Sequence, residues 1–132
     1  MSKFDYEFLP NLDLMIARVR GPVQPREFLA FLADVVGPQP AKNIIWVFSA
    51  GAFQFFSIED LKAIPRTRER EWEKRRGGHA FLVAQDPSEK VLIRWFDAIR
   101  AAAADQPFTI HQCDSEAEAL AKLEAIRESS AN

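Results

Sequence analysis

Few side chains in this 132-residue chain are spaced for covalent chemistry. His111 and Cys113 lie two apart in an alternating stretch, so on a strand they share a face, the one spacing here that could link a thiol to a base. No third residue is evident to orient the imidazole. A lone cysteine beside a helix start packs as a small apolar group more readily than it reacts. His79 follows Gly77-Gly78 at a strand entrance, where it is expected to face solvent or to cap the preceding helix. Asp86 and Asp114 could take part in acid–base work, but nothing in the spacing selects a pair. Gly77-Gly78 lacks the lysine and spacing of a phosphate loop, and Gly51 stands alone. With one cysteine and two histidines, neither a disulfide framework nor a cysteine-based zinc site can be built, so no metal or other cofactor is expected.

Two other segments suit binding better than catalysis. The connection Ala50-Gly51-Ala52-Phe53-Gln54-Phe55-Phe56 carries three phenylalanines where polar turn residues are usual. Either the rings complete the core or they serve a partner. From Arg66 to Arg76 six cations (Arg66, Arg68, Arg70, Lys74, Arg75 and Arg76) alternate with Glu69, Glu71 and Glu73 around Trp72. Such interspersed charge describes a salt-bridged, solvated helix face better than a nucleic-acid grip, and no nucleic-acid motif accompanies it.

The elements that must hold these residues follow from periodicity. Leu12 to Arg20 alternates as a strand, with Leu14, Ile16 and Arg18 on one side and Met15, Ala17 and Val19 on the other. A shorter strand over Tyr6–Leu9, joined to it by a Pro10-Asn11 turn, would make an antiparallel hairpin. Pro25 opens a helix with Phe28, Leu29, Leu32, Val35 and Val36 inward, stopped by Gly37-Pro38. The run Ile44–Phe48 is apolar on both sides, as a central strand requires. Ser57 and Asp60 then mark a helix start, with Ile58, Leu61, Ile64, Arg68 and Trp72 along its inner stripe, a kink or break near Ile64 imposed by Pro65, and an end at Gly77-Gly78. A strand at Ala80–Ala84 precedes a helix begun by Asp86-Pro87-Ser88-Glu89, whose inner stripe is Val91, Leu92, Trp95, Phe96 and Ile99. Phe108–Cys113 is a last strand, and Ser115-x-x-Glu118 opens a last helix with Ala119, Leu120, Leu123 and Ile126 inward.

The order β-β-α-β-α-β-α-β-α predicts an α/β fold: one mixed, mostly parallel sheet of about five strands with about four helices, in a single domain over 1–132. A formal charge of -2 gives no global attraction to nucleic acid or anionic membrane. The longest uncharged run, Asn43 to Ile58, is interrupted by polar residues and falls short of the ~20 that span a bilayer. The acidic, aromatic N-terminus lacks an export signal, and the cysteine usage suits a reducing cytoplasm.

This arrangement resembles the STAS domain of anti-sigma-factor antagonists, and especially its SpoIIAA-like relatives. The likeness rests on Val19-Arg20-Gly21-Pro22, on Ile44–Ser49 with the following connection and Ser57, and on Phe108-Thr109-Ile110-His111 leading to Ser115–Leu120. It implies a regulatory module in which the serine after the third strand can be phosphorylated by a partner kinase; Ser57 occupies that place. The family pattern has an aspartate before this serine and small residues after it, whereas Phe56, Ile58 and Glu59 flank Ser57. Glu59 and Asp60 would also oppose a dianion there, so a structural cap is the simpler role.

The expected function is a non-enzymatic, cytoplasmic STAS-like module that binds a protein partner or a small apolar, lipid-like ligand. Phe53, Phe55 and Phe56 would be its apolar contacts, Ser57 a cap or hydrogen-bonding group, and Arg66 and Arg68 rim charges. A homodimer is compatible with this reading. The alternatives are a small enzyme with a site near His111 and Cys113, or an RNA-binding protein using the basic 66–76 helix.

Overall fold

Proline and aspartate shape the first turn of the chain. In the computed structural model, which describes residues 3–67, 75–84, 86, 87, 89–91, 93, 94 and 109–131, β1 (Phe4–Leu9) pairs antiparallel with β2 (Leu14–Val19). Between them Pro10–Leu12 forms a 3-10 turn, and Asp13 adopts a left-handed φ of 50°. The link is therefore longer than a Pro10-Asn11 turn, and β2 starts at Leu14 instead of Leu12. Asp13 tolerates this conformation better than most residues, and its side chain accepts a hydrogen bond from the Lys42 N–H at 3.1 Å.

Pro25 occupies the first turn of α1 (Pro25–Phe31), where its missing N–H costs nothing, and the Glu27 carboxylate accepts from the Gln24 N–H at 2.9 Å. A π-helical turn over Leu32–Val36 extends α1 up to Gly37. There follow β3 (Asn43–Phe48), α2 (Ile58–Thr67), β4 (His79–Val83), helical residues at 87, 89–91, 93 and 94 (α3), β5 (Thr109–Cys113) and α4 (Glu116–Ala131). Of the kink or break expected near Ile64, there is no break: α2 stays helical to Thr67. No helix of the described residues is long and apolar enough to cross a membrane.

The strands form one sheet in the order β1-β2-β3-β4-β5, parallel except for the β1–β2 pair. Together with four helices among the described residues this is the mixed, mostly parallel α/β architecture that the strand–helix alternation requires. Because the parallel strands succeed one another in one direction, crossovers of a single hand put α1, α2 and α3 on the same face. Phe28, Leu32, Leu61 and Ile93 pack there against Met15, Ala17, Trp46 and Leu82. After the last strand α4 folds over the opposite face, where Ala119 and Leu123 meet Ile16, Ile45, Phe81 and Val83.

Two residues expected on inner stripes face outward, while the other expected inner residues of α3, Leu92, Trp95, Phe96 and Ile99, lie outside the described residues. Ile58 and Val91 are exposed, while Leu61 and Ile93 are buried. Ile58 sits in the first turn of α2, before the helix reaches the sheet. Glu89 shares the inner face with Ile93, and a buried glutamate is invisible to a search for apolar periodicity.

Candidate functional site

The parallel strands give the sheet two unlike edges, and the chemistry-bearing residues divide between them. At the C-terminal edge, the connection 49–57 leaves β3 as a series of tight turns closed by Ala52 N–H to Ser49 O, Gln54 N–H to Gly51 O and Phe56 N–H to Phe53 O, at 3.0 to 3.1 Å. Gly21, in the loop after β2, holds it from outside: its N–H donates to Ser49 Oγ at 2.9 Å, and a Cβ on Gly21 would collide with the Ala52 backbone.

Within this connection the three aromatic rings have different fates. Phe53 is buried, with ring centroids 4.5 Å from Phe48 and 6.2 Å from Phe28. Phe56 is half-buried and meets Phe28 and Phe53 edge-on. Phe55 is 47% exposed, and across Ser57 lies Ile58, 45% exposed. Two rings thus anchor the connection, and one stands out of it.

Ser57 is a helix cap. Its Oγ accepts from the Asp60 N–H at 3.1 Å, and Asp60 Oδ2 accepts from the Ser57 N–H at 2.8 Å and from its hydroxyl at 2.9 Å. Of the expected rim cations, Arg66 belongs to the end of α2 with its side chain outside the described part, and Arg68 lies outside the described residues altogether. The remaining basic segment loses one member from its surface. Arg75 is buried and donates to the carbonyls of Ala41 and Val36, the latter at 2.6 Å, capping the end of the π-helical turn.

Behind the aromatic connection lies an acid that periodicity did not single out. Glu89 is buried, and its Oε2 has no hydrogen-bond partner among the described residues. Burial, then the neighbouring Asp86 side chain, raises its pKa above the ordinary glutamate value, while the Phe53 N–H pulls the other way.

The N-terminal edge is polar. His79, first residue of β4, was expected to face solvent or cap a helix; instead its Nδ1 lies 2.9 Å from Nε2 of His111 on β5. Parallel register produces this diagonal: His111 sits opposite Phe81, two residues beyond His79 on the same face. Phe81 stacks on His111 with ring centroids 4.7 Å apart. Burial lowers the pKa of both histidines; Lys42 adds to this at His79, and His79 and Lys122 add at His111. The expected His111–Cys113 alignment on one face is present, but His111 directs its nitrogen to His79. Cys113 is buried, and burial pushes its thiol up, away from the reactive thiolate.

Beside His79 opens a cleft of about 440 Å³ between the starts of the strands and the end of α4. Lys42, His79 and Arg127 supply its polar lining, Leu123 and Ile126 an apolar wall. Asp13 and Asn43 lie at its base, already engaged: the Asn43 amide donates to Asp13 O, and its oxygen accepts the His79 N–H at 2.9 Å. Among the described residues there is no cluster of three or more His, Cys, Asp or Glu able to hold a metal ion. Compared with known proteins, the chain matches no family model, no curated protein and no solved structure.

Proposed function

We propose that the chain is a non-enzymatic, STAS-like binding and regulatory module that engages a protein partner at the C-terminal edge of its sheet. One observation carries the reading: Phe55 and Ile58 stand exposed on either side of a capped helix start, while Phe53 and Phe56 root the same connection in the core. An apolar anchor on a rigid base loses little conformational entropy on binding and gains affinity where the surrounding polar rim excludes water. Ser57 serves this surface by fixing the helix start. A phosphate on its hydroxyl would break the cap and face Asp60 at hydrogen-bond range, which favours the structural role. The buried, pKa-raised thiol of Cys113 and the loss of Arg75 to the interior support binding over thiol catalysis or RNA recognition.

A photo-crosslinking residue in place of Ile58, introduced in the cells that make the protein, tests the proposal. It should trap one discrete protein, and Phe55→Ala in the same chain should weaken that capture about tenfold while changing stability by no more than about 0.5 kcal/mol. Capture that survives Phe55→Ala, or a chain that unfolds on that substitution, overturns it. Trapping of a second copy of the chain identifies the partner as itself.

A further inference from the structure

From the cleft at the opposite edge we infer a second binding site, one that takes a small organic acid: an anionic head between Lys42 and His79 and an apolar body against Leu123 and Ile126. The volume, about 440 Å³, lies in the range of small-molecule sites. Its charges do not cancel. Lys42 and Arg127 contribute two cations and Asp13 one carboxylate, and Asp13 already accepts the Lys42 backbone N–H. Arg127 spends one hydrogen on each of the Leu12 and Asn11 carbonyls, at 3.1 and 3.2 Å, so its guanidinium is fixed at the rim. No carboxylate among the described residues forms an ion pair with the Lys42 ammonium, which passes over Gly77 closely enough that a Cβ there would sit 3.3 Å from Nζ. Gly77 holds a φ of +82°, which keeps that position free of a side chain. The result is a concave surface, positive on one side and greasy on the other, to which an amphipathic anion is complementary.

The histidine pair gives this site a proton to work with. When His79 is charged, its Nδ1–H donates to the His111 Nε2 lone pair, and its remaining N–H is left for the ligand. Burial and then Lys42 oppose that charge on His79, His79 and Lys122 oppose a charge on His111, and an incoming carboxylate favours protonated His79 in a cleft that Asp13 also lines. Ligand affinity therefore rises as the solution is acidified through the histidine range.

Calorimetric titration of the full chain with 3-phenylpropanoate, and with its uncharged amide, tests the inference. The acid should bind one site, about tenfold more tightly than the amide, and about tenfold less tightly to Lys42→Met, whose side chain is exposed and dispensable for packing. The His79 ring signals should shift on titration, and affinity should increase from about pH 7.5 to about pH 6. Lys62→Met, on α2, serves as the control and should bind as the parent does. Equal affinity for acid and amide, or full affinity in Lys42→Met, overturns the inference. Phe55→Ala should leave acid binding intact, so failure at one edge of the sheet is distinguishable from failure at the other.

Discussion

The two faces of the sheet are built from different materials. Beneath α1, α2 and α3 the rings of Phe28, Phe31, Trp46, Phe48, Phe53 and Phe56 form a continuous aromatic layer, with Trp46 and Phe48 stacked 5.9 Å apart and Phe4 stacked on Phe31 at 4.5 Å. Beneath α4 the filling is aliphatic and small apart from Phe81, and polar groups enter it. Arg18 holds Glu116 through two hydrogen bonds of 3.0 Å, and the histidine pair sits on the same side. One face gains its stability from dispersion and buried area. The other, covered among the described residues by α4, leaves room for the histidine pair to titrate.

Mutation should separate the faces by magnitude. Phe28→Ala should be the most costly, because the Phe28 ring is buried and meets those of Trp46, Phe48, Phe53 and Phe56. A loss of about 3–5 kcal/mol in urea unfolding is expected. A loss below about 1 kcal/mol would show that the aromatic layer is loosely packed and that its rings do not root the binding edge. Arg18→Met, on the other face, removes the two-pronged grip on the first turn of α4 and the weaker attraction to Asp5 and Glu7, 3.5 and 3.7 Å away. Since the guanidinium is part-exposed, about 1 kcal/mol is expected, and high salt should erase most of the difference from the parent.

Sequence reading found the aromatic face more fully than the polar one, for a physical reason. Strand alternation placed Ile16 and Arg18 together and Ala17 and Val19 opposite, and Ser57 and Ser115 marked helix starts whose caps are formed in space, Ser115 Oγ accepting from the Glu118 N–H at 3.0 Å. These signals are local. His79 and His111 are 32 residues apart, and only the β4–β5 register brings their rings together. Pairing His111 with Cys113 followed the nearest spacing along one strand, while the actual partner lay across the ladder. Arg75 looked like one cation among six, yet the Val36 and Ala41 carbonyls it caps lie more than 30 residues earlier. In Glu89 the misleading signal was its position: three residues after Asp86 it suits the first turn of a helix, and that accounts for the residue without asking which way it faces. Its only further clue is its place four residues before Ile93, which puts a carboxyl on a buried stripe.

The smallest expected effect is also the one that sets the faces against each other. Both histidines have pKa values below the ordinary value of about 6.5, so the unfolded chain takes up protons before the folded one does. Their contribution is complete above that value and is lost as pH falls through it toward the folded values. Glu89 has the opposite sign. Its folded pKa is raised, so its contribution is present below the ordinary glutamate value and is lost as pH climbs through the folded one. Between about pH 7 and pH 5, acid therefore weakens the chain through the histidine face and strengthens it through Glu89. Melting temperatures across that window should fall less steeply in the double variant His79→Gln/His111→Gln than in the parent, and more steeply in Glu89→Gln, each by a few degrees or less. Parallel curves for all three proteins would mean that neither the histidine pair nor Glu89 changes its affinity for a proton on folding, and would remove the proton from the account of the cleft while leaving its charge complementarity to be judged by the acid and amide titrations.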